Sequence, residues 1–142
     1  MSTLSLAETV VTNAALGAWL GAMAFFSFVA APTVFDVLER DRAGTVVNAI
    51  FPTYYVVGVG AGTLALLAAV GRGALTGFDA PLLLVVVATV VAVLLAAYAR
   101  WILIPKMGRA GEDGFARYHR RSVLLNGLAL VAVAVALVAS HL

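Results

Sequence analysis

Four long apolar stretches, separated by three short polar ones, take up almost the whole chain. They cover about residues 9–35, 48–71, 80–104 and 115–141. A run of 18 or more apolar residues with few charges reads as a transmembrane helix, because ~20 residues at ~1.5 Å each cross the ~30 Å hydrocarbon core. The pattern predicts an all-α fold: a single-domain (1–142) integral membrane bundle of four transmembrane helices in contact with the lipid bilayer. A cleaved leader is not expected. Glu8 stands where a leader carries basic residues, and the first run is too long for one.

Within the runs, small and polar positions carry the detail. Gly17/Gly21 and Gly58/Gly62 are small-xxx-small pairs, which let helices approach closely in lipid. They are expected to pack helices together and are candidate faces for a homo-oligomer. Pro32 falls near the end of the first run and Pro52 in the first turns of the second, with Phe51, Tyr54 and Tyr55 around it. The third run is Val, Leu and Ala throughout, so its apolar periodicity shows no face. Arg100-Trp101 closes that run, and Pro105 is expected to end it. In the fourth run, Phe115, His119, Ser122 and Asn126 fall within an arc of roughly 60°. That polar stripe is expected to face the other helices, while Arg117, Arg120 and Arg121 form a basic collar.

Composition sharpens this picture. The chain is 63% hydrophobic and only 11% charged, against about 25% charged for soluble domains. Absence of cysteine removes disulfides and thiolate chemistry. Eight of the nine Lys/Arg lie at 40–42 or between Arg100 and Arg121, and Arg72 alone lies at the other side. Basic residues concentrate on cytoplasmic loops. Segments 36–47 and 105–114 are therefore expected as cytoplasmic loops of a multi-pass cell-membrane protein, with both termini outside. Eleven of the thirteen aromatic residues fall in the cytoplasmic half, the exceptions being Trp19 and Phe78.

The candidate polar cluster is Arg100, His119, Ser122, Asn126 and Tyr54. Phe28, Pro32, Phe35, Phe51, Pro52, Trp101, Phe115 and Tyr118 lie at the same depth and are expected to line it. His119 reads as a proton relay, a metal ligand or a histidine bonded to a neighbouring helix. A metal needs three or four ligands, and no second histidine or carboxylate stands at i±3 or i±4, so none is expected. Arg100 is either a snorkelling anchor or the partner of Asp36 or Glu39. Asn126 is interhelical glue or part of a polar path. No nucleophile–base pair, phosphate loop or intramembrane carboxylate pair is present, so catalysis is not expected, nor is a cofactor. Nucleic acid has no soluble surface to bind. The reading is a protein that handles a small solute or ion, by transport or permeation, through this cluster. The alternatives are a packing or interaction subunit, or a small enzyme acting on a lipid-soluble substrate.

Four short pieces resemble the transmembrane protein 205-like family in order along the chain. They are Ala31-Pro-Thr-Val-Phe35, Ile50-Phe-Pro-Thr-Tyr-Tyr55, Ala99-Arg-Trp-Ile-Leu-Ile-Pro105, and Phe115-Ala-Arg-Tyr-His119 through Ser122 to Asn126. The resemblance implies a four-helix membrane protein associated with tolerance of toxic metal compounds. The first helix is more distantly similar to copper-resistance D-type and haem-pathway membrane proteins. Those rely on membrane histidines, whereas this chain has only His119 and His141.

Overall fold

A computed structural model describes residues 2–142, apart from the side chains of Glu112, Asp113 and Phe115. Four helices follow one another up and down: α1 (Thr3–Val37), α2 (Arg40–Thr76), α3 (Ala80–Arg109) and α4 (Glu112–Ala139). All four contain a window long and apolar enough to cross a membrane. The connectors are Leu38-Glu39, Gly77-Phe78-Asp79 and Ala110-Gly111. Links this short force antiparallel neighbours. The middle one turns because Gly77 takes φ +90° and because the Asp79 side chain caps α3, accepting from the Leu82 N–H at 2.8 Å.

The helices are longer than the apolar runs. The expected loops 36–47 and 105–114 are mostly helical, so the boundaries at 35, 48, 104 and 115 need correction. A 37-residue α2 measures about 55 Å, well beyond the hydrocarbon core. Its charged first turns extend the helix past the apolar layer. Nor do Pro32 and Pro105 end their helices. Each follows a π-bulge, Phe26–Ala30 in α1 and Ala99–Leu103 in α3. At both, the residue before proline bonds five residues back: Ala31 N–H to the Phe26 carbonyl, Ile104 N–H to the Ala99 carbonyl. Proline lacks an N–H and its ring crowds the carbonyl four residues earlier. The wider π turn relieves that crowding and lets the helix continue.

These features recur at constant spacing. Ala99 follows Phe26 by 73 residues, and Pro105 follows Pro32 by the same 73. The chain is thus two helical hairpins of one design. The packing agrees, since α1 lies most extensively on α2, and α3 on α4.

Trp19 occupies the centre of the first hairpin and is 3% exposed. Gly58 and Gly62 face it. A Cβ on Gly58 would stand 2.6 Å from its Nε1, and one on Gly62 would stand 2.6 Å from its Cζ3. Trp19 of the same chain therefore packs on the Gly58/Gly62 face. Gly17 and Gly21 have nothing within 4 Å of a Cβ. The second hairpin closes on small residues: Ala88, Ala92, Ala96 and Ala99 of α3 with Ala129, Val133 and Ala136 of α4 are all buried. Leu83, Leu84, Val87, Val91 and Leu94 point outward. In lipid, close approach of small residues supplies the attraction that the hydrophobic effect supplies in water. The face of α3 is therefore marked by alanine and Thr89, not by the largest apolar side chains.

Candidate functional site

Polar side chains from three helices meet near the first bulge. Tyr54 of α2 donates its hydroxyl to Asn126 Oδ1 of α4 at 2.5 Å. Asn126 Nδ2 donates in turn to Ser27 Oγ, inside the α1 bulge, at 2.9 Å. The three side chains thus form a chain of two hydrogen bonds, Tyr54 to Asn126 to Ser27. One turn away, the hydroxyls of Tyr55 and Ser122 lie 3.3 Å apart, and both residues are 3% exposed. Around them stands an aromatic group. Phe26 lies 4.8 Å from Tyr54 and 5.5 Å from Phe51, and Tyr54 and Tyr55 meet edge to face at 5.0 Å. An unbonded polar group costs several kcal/mol within lipid, which explains why Ser122 and Asn126 of α4 turn inward and find partners.

The bulge places Ser27. In a straight helix its hydroxyl would sit elsewhere in the α1 register, whereas the extra residue in the turn re-aims the side chains beyond Phe25. Between Asn13 and Thr33, Ser27 is the sole hydroxyl-bearing residue.

Beside this network lies a partly open cavity of about 280 Å³. Phe26, Phe51 and Val47 form its apolar walls, and Ser27, Ser122 and Asn126 its polar floor. Pro32, Phe35 and Val123, all exposed, make an outer lip toward the lipid. A second cavity of about 370 Å³ continues toward the basic end, where Arg40, Asp41, Asn48 and Thr45 line it. Phe35, Val47 and His119 border both. The middle of the bundle is filled instead, with Leu16, Trp19, Val85, Thr89 and Val133 all buried there, and a cavity of about 420 Å³ lined by Arg72, Thr76, Gly77, Phe78 and Asp79 lies at the opposite end.

The residues expected at the site divide as follows. Tyr54, Ser122 and Asn126 come together in the network, and Phe51, Pro32 and Phe35 line the cavity. His119 stands exposed at the border of the two cavities, not in the interior. Arg100 does not join them. It sits in the second bulge, 5.8 Å above the Trp101 ring, with a buried Nε that has no hydrogen-bond partner. Neither Asp36 nor Glu39, both exposed, meets it. Phe28 and Trp101 turn outward, at 71% and 54% exposure, on the same faces as the exposed Phe25 and Leu94 before them. Pro52 is half-buried inside α2 and does not line the cavity. Tyr118 serves the basic collar, accepting from Arg117 at 3.2 Å with the Arg121 guanidinium 5.7 Å from its ring. Phe115 lies outside the described residues. Ser27, Phe26, Val47 and Tyr55 are site residues that the pattern of the sequence does not single out. Among the described residues, no three His, Asp or Glu side chains gather to hold a metal.

Residues 14–116 match the family model described as a domain of unknown function, DUF4149. An uncharacterised protein of Aquifex aeolicus (strain VF5) is 34% identical over 116 residues, covering 80% of this chain and 81% of that protein. No solved structure matches. With more than half of its length inside that model and a relative aligned over most of both chains, the protein belongs to the DUF4149 family.

Proposed function

We propose that this protein handles a small lipid-soluble compound in the cavity beside Ser27 and Asn126, at the cytoplasmic ends of its helices. The observation that carries the reading is the cavity itself: polar at its floor, apolar at its walls, and lipped by exposed residues facing the bilayer. Ligand sites are mostly apolar concavities with a few placed polar groups, of about 300–1,000 Å³, and this cavity stands at the small end. The packed core in the middle of the bundle supports uptake and release on one side over conduction through a single chain. The cytoplasmic placement rests on the eight-to-one division of Lys/Arg. The resemblance to the transmembrane protein 205-like family, which falls on Pro32, Tyr54 and Asn126, supports a part in tolerance of toxic compounds. A second copy of the chain would have Gly17 and Gly21 as its open face.

The chain has no cysteine, so single cysteines test the reading directly. In membrane vesicles, Ser122→Cys should react with a small neutral thiol reagent through the cavity. Ala129→Cys, buried in the closed seam of α3 and α4, should not. Lipid-soluble toxic compounds handled by the protein should slow labelling of Ser122→Cys. Equal inertness of the two cysteines would leave the polar group as packing glue and remove the handling reading.

A further inference from the structure

The hydrogen bonds at the cavity floor leave donors over, and those donors specify the ligand. Tyr54 and Ser27 each bring one polar hydrogen, and Asn126 brings two. Two are spent, Tyr54 to Asn126 and Asn126 to Ser27. The second N–H of Asn126 and the Ser27 hydroxyl hydrogen are left over. Asn126 lines the cavity, so this N–H is available there. The Tyr55–Ser122 pair also leaves one hydroxyl hydrogen over, because two hydroxyls share one bond; with Tyr55 as the donor it is that of Ser122, which lines the same cavity. A floor that presents donors calls for an acceptor.

The charge of that acceptor follows from the walls. Apart from His119 at the border, every residue lining the inner cavity is uncharged: Phe26, Ser27, Val47, Phe51, Ser122 and Asn126 among them. A carboxylate or phosphate carried to that depth would be desolvated with no counter-charge, a heavy cost. The basic and acidic side chains, Arg40 and Asp41, border the outer cavity only. A hydrocarbon end would leave the donors unbonded. What remains is a neutral oxygen acceptor on an apolar body.

Resting on the cavity reading above, we propose that the site binds a neutral carbonyl-bearing lipophile. Its carbonyl oxygen accepts from the Asn126 amide between Phe26 and Phe51, and its apolar remainder leaves over Pro32, Phe35 and Val123 into the lipid.

The test uses the full-length protein in lipid nanodiscs. Three photoreactive probes share one diazirine-bearing alkyl chain and end in a methyl ketone, a methyl group or a carboxylate. Covalent labelling of α1 and α4 is followed by competition. The ketone should compete about fivefold more tightly than the hydrocarbon, as one net hydrogen bond of ~1 kcal/mol requires. The carboxylate should show no such advantage. Asn126→Leu keeps the volume and removes the amide. It should abolish the ketone's preference, read as the ratio of ketone to hydrocarbon competition in that same variant. Asn126→Thr serves beside it, because threonines in this chain spend their hydroxyl on a carbonyl of their own helix, as Thr12 and Thr89 do. That variant should lose the preference too. Equal affinity of ketone and hydrocarbon, a preference that survives both substitutions, or tightest binding by the carboxylate would each overturn the proposal. Loss of labelling by all three probes on the unsubstituted protein would instead defeat the cavity reading on which it rests.

Discussion

Gly58→Ala adds one methyl group at the most crowded point of the first hairpin. The new Cβ would stand 2.6 Å from Trp19 Nε1 and 3.0 Å from Cε2. Nonbonded carbons rest at about 3.5–4.0 Å, so the indole or the helix must retreat by roughly 1 Å. Trp19 has nowhere to go: it is 3% exposed, and its neighbours on α1, Leu16 and Met23, are 0% and 2% exposed. Overpacking of this kind costs about 1–3 kcal/mol. Against it stands the gain of ~0.5–1 kcal/mol from replacing a helical glycine by alanine. Gly60→Ala measures that gain alone, since Gly60 lies on the same helix with nothing within 4 Å of its Cβ. The difference between the two variants isolates the clash. In reversible unfolding from mixed micelles by sodium dodecyl sulfate, Gly58→Ala should be ~1–3 kcal/mol less stable than Gly60→Ala. Trp19→Phe removes the five-membered edge of the indole that the methyl would strike. In that background the penalty should shrink, a coupling of about 0.5–3 kcal/mol between residues in contact. Equal stability of the two alanine variants, or a penalty undiminished by Trp19→Phe, would refute the account of how α1 and α2 meet.

Three further outcomes follow from the same structure. Tyr54→Phe leaves Asn126 Oδ1 without its donor and should cost ~0.6–1.7 kcal/mol in the same unfolding assay, the range for interhelical bonds in membranes; no loss would mean that lipid or water replaces the bond. Arg100→Met removes a half-buried guanidinium whose Nε has no partner, so thermal stability in detergent should hold or rise; a clear fall would reveal a counter-charge. For topology, Arg42→Cys and Ala110→Cys should be shielded from an impermeant thiol reagent in intact cells, and Leu75→Cys should react; the reverse pattern would invert the orientation.

The number and order of helices could be read from apolar run length, because the thickness of the bilayer dictates it. The stripe on α4 was legible for the same kind of reason: Ser122 and Asn126 are costly in lipid and must turn inward. Proline misled. Pro105 reads as a stop, yet a π turn upstream absorbs it, and the turn's only trace in the sequence is the spacing shared with Phe26 and Pro32. Depth alone placed Phe28 and Trp101 at the site, yet they stand on the exposed faces that Phe25 and Leu94 mark one and two turns earlier. Ser27 could have been found as the lone hydroxyl of a long apolar run. Arg100 shows the limit of depth as a guide: it holds the same place in the bulge of α3 as Ser27 holds in that of α1, yet it takes no part in the network.

The duplicated bulge offers two places for a polar site, and only the first bulge carries one. The two hairpins use the same backbone device, and position 100 is the counterpart of position 27 at the 73-residue spacing. In the first hairpin the bulge carries a serine small enough to stay inside, where Asn126 reaches it. In the second it carries an arginine, whose guanidinium lies against Trp101. The bulge supplies a re-aimed position, and the residue placed there decides whether that position becomes a hydroxyl beside a cavity or a charge beside an aromatic ring. The partner matters equally. By the same spacing Thr53 is the counterpart of Asn126, and Thr53 is exposed. A serine at position 100 would therefore meet no amide across the bundle, and Arg100→Ser alone would not build a second polar network. The site depends on one bulge, one small hydroxyl and one facing amide together, and only the first of these occurs twice.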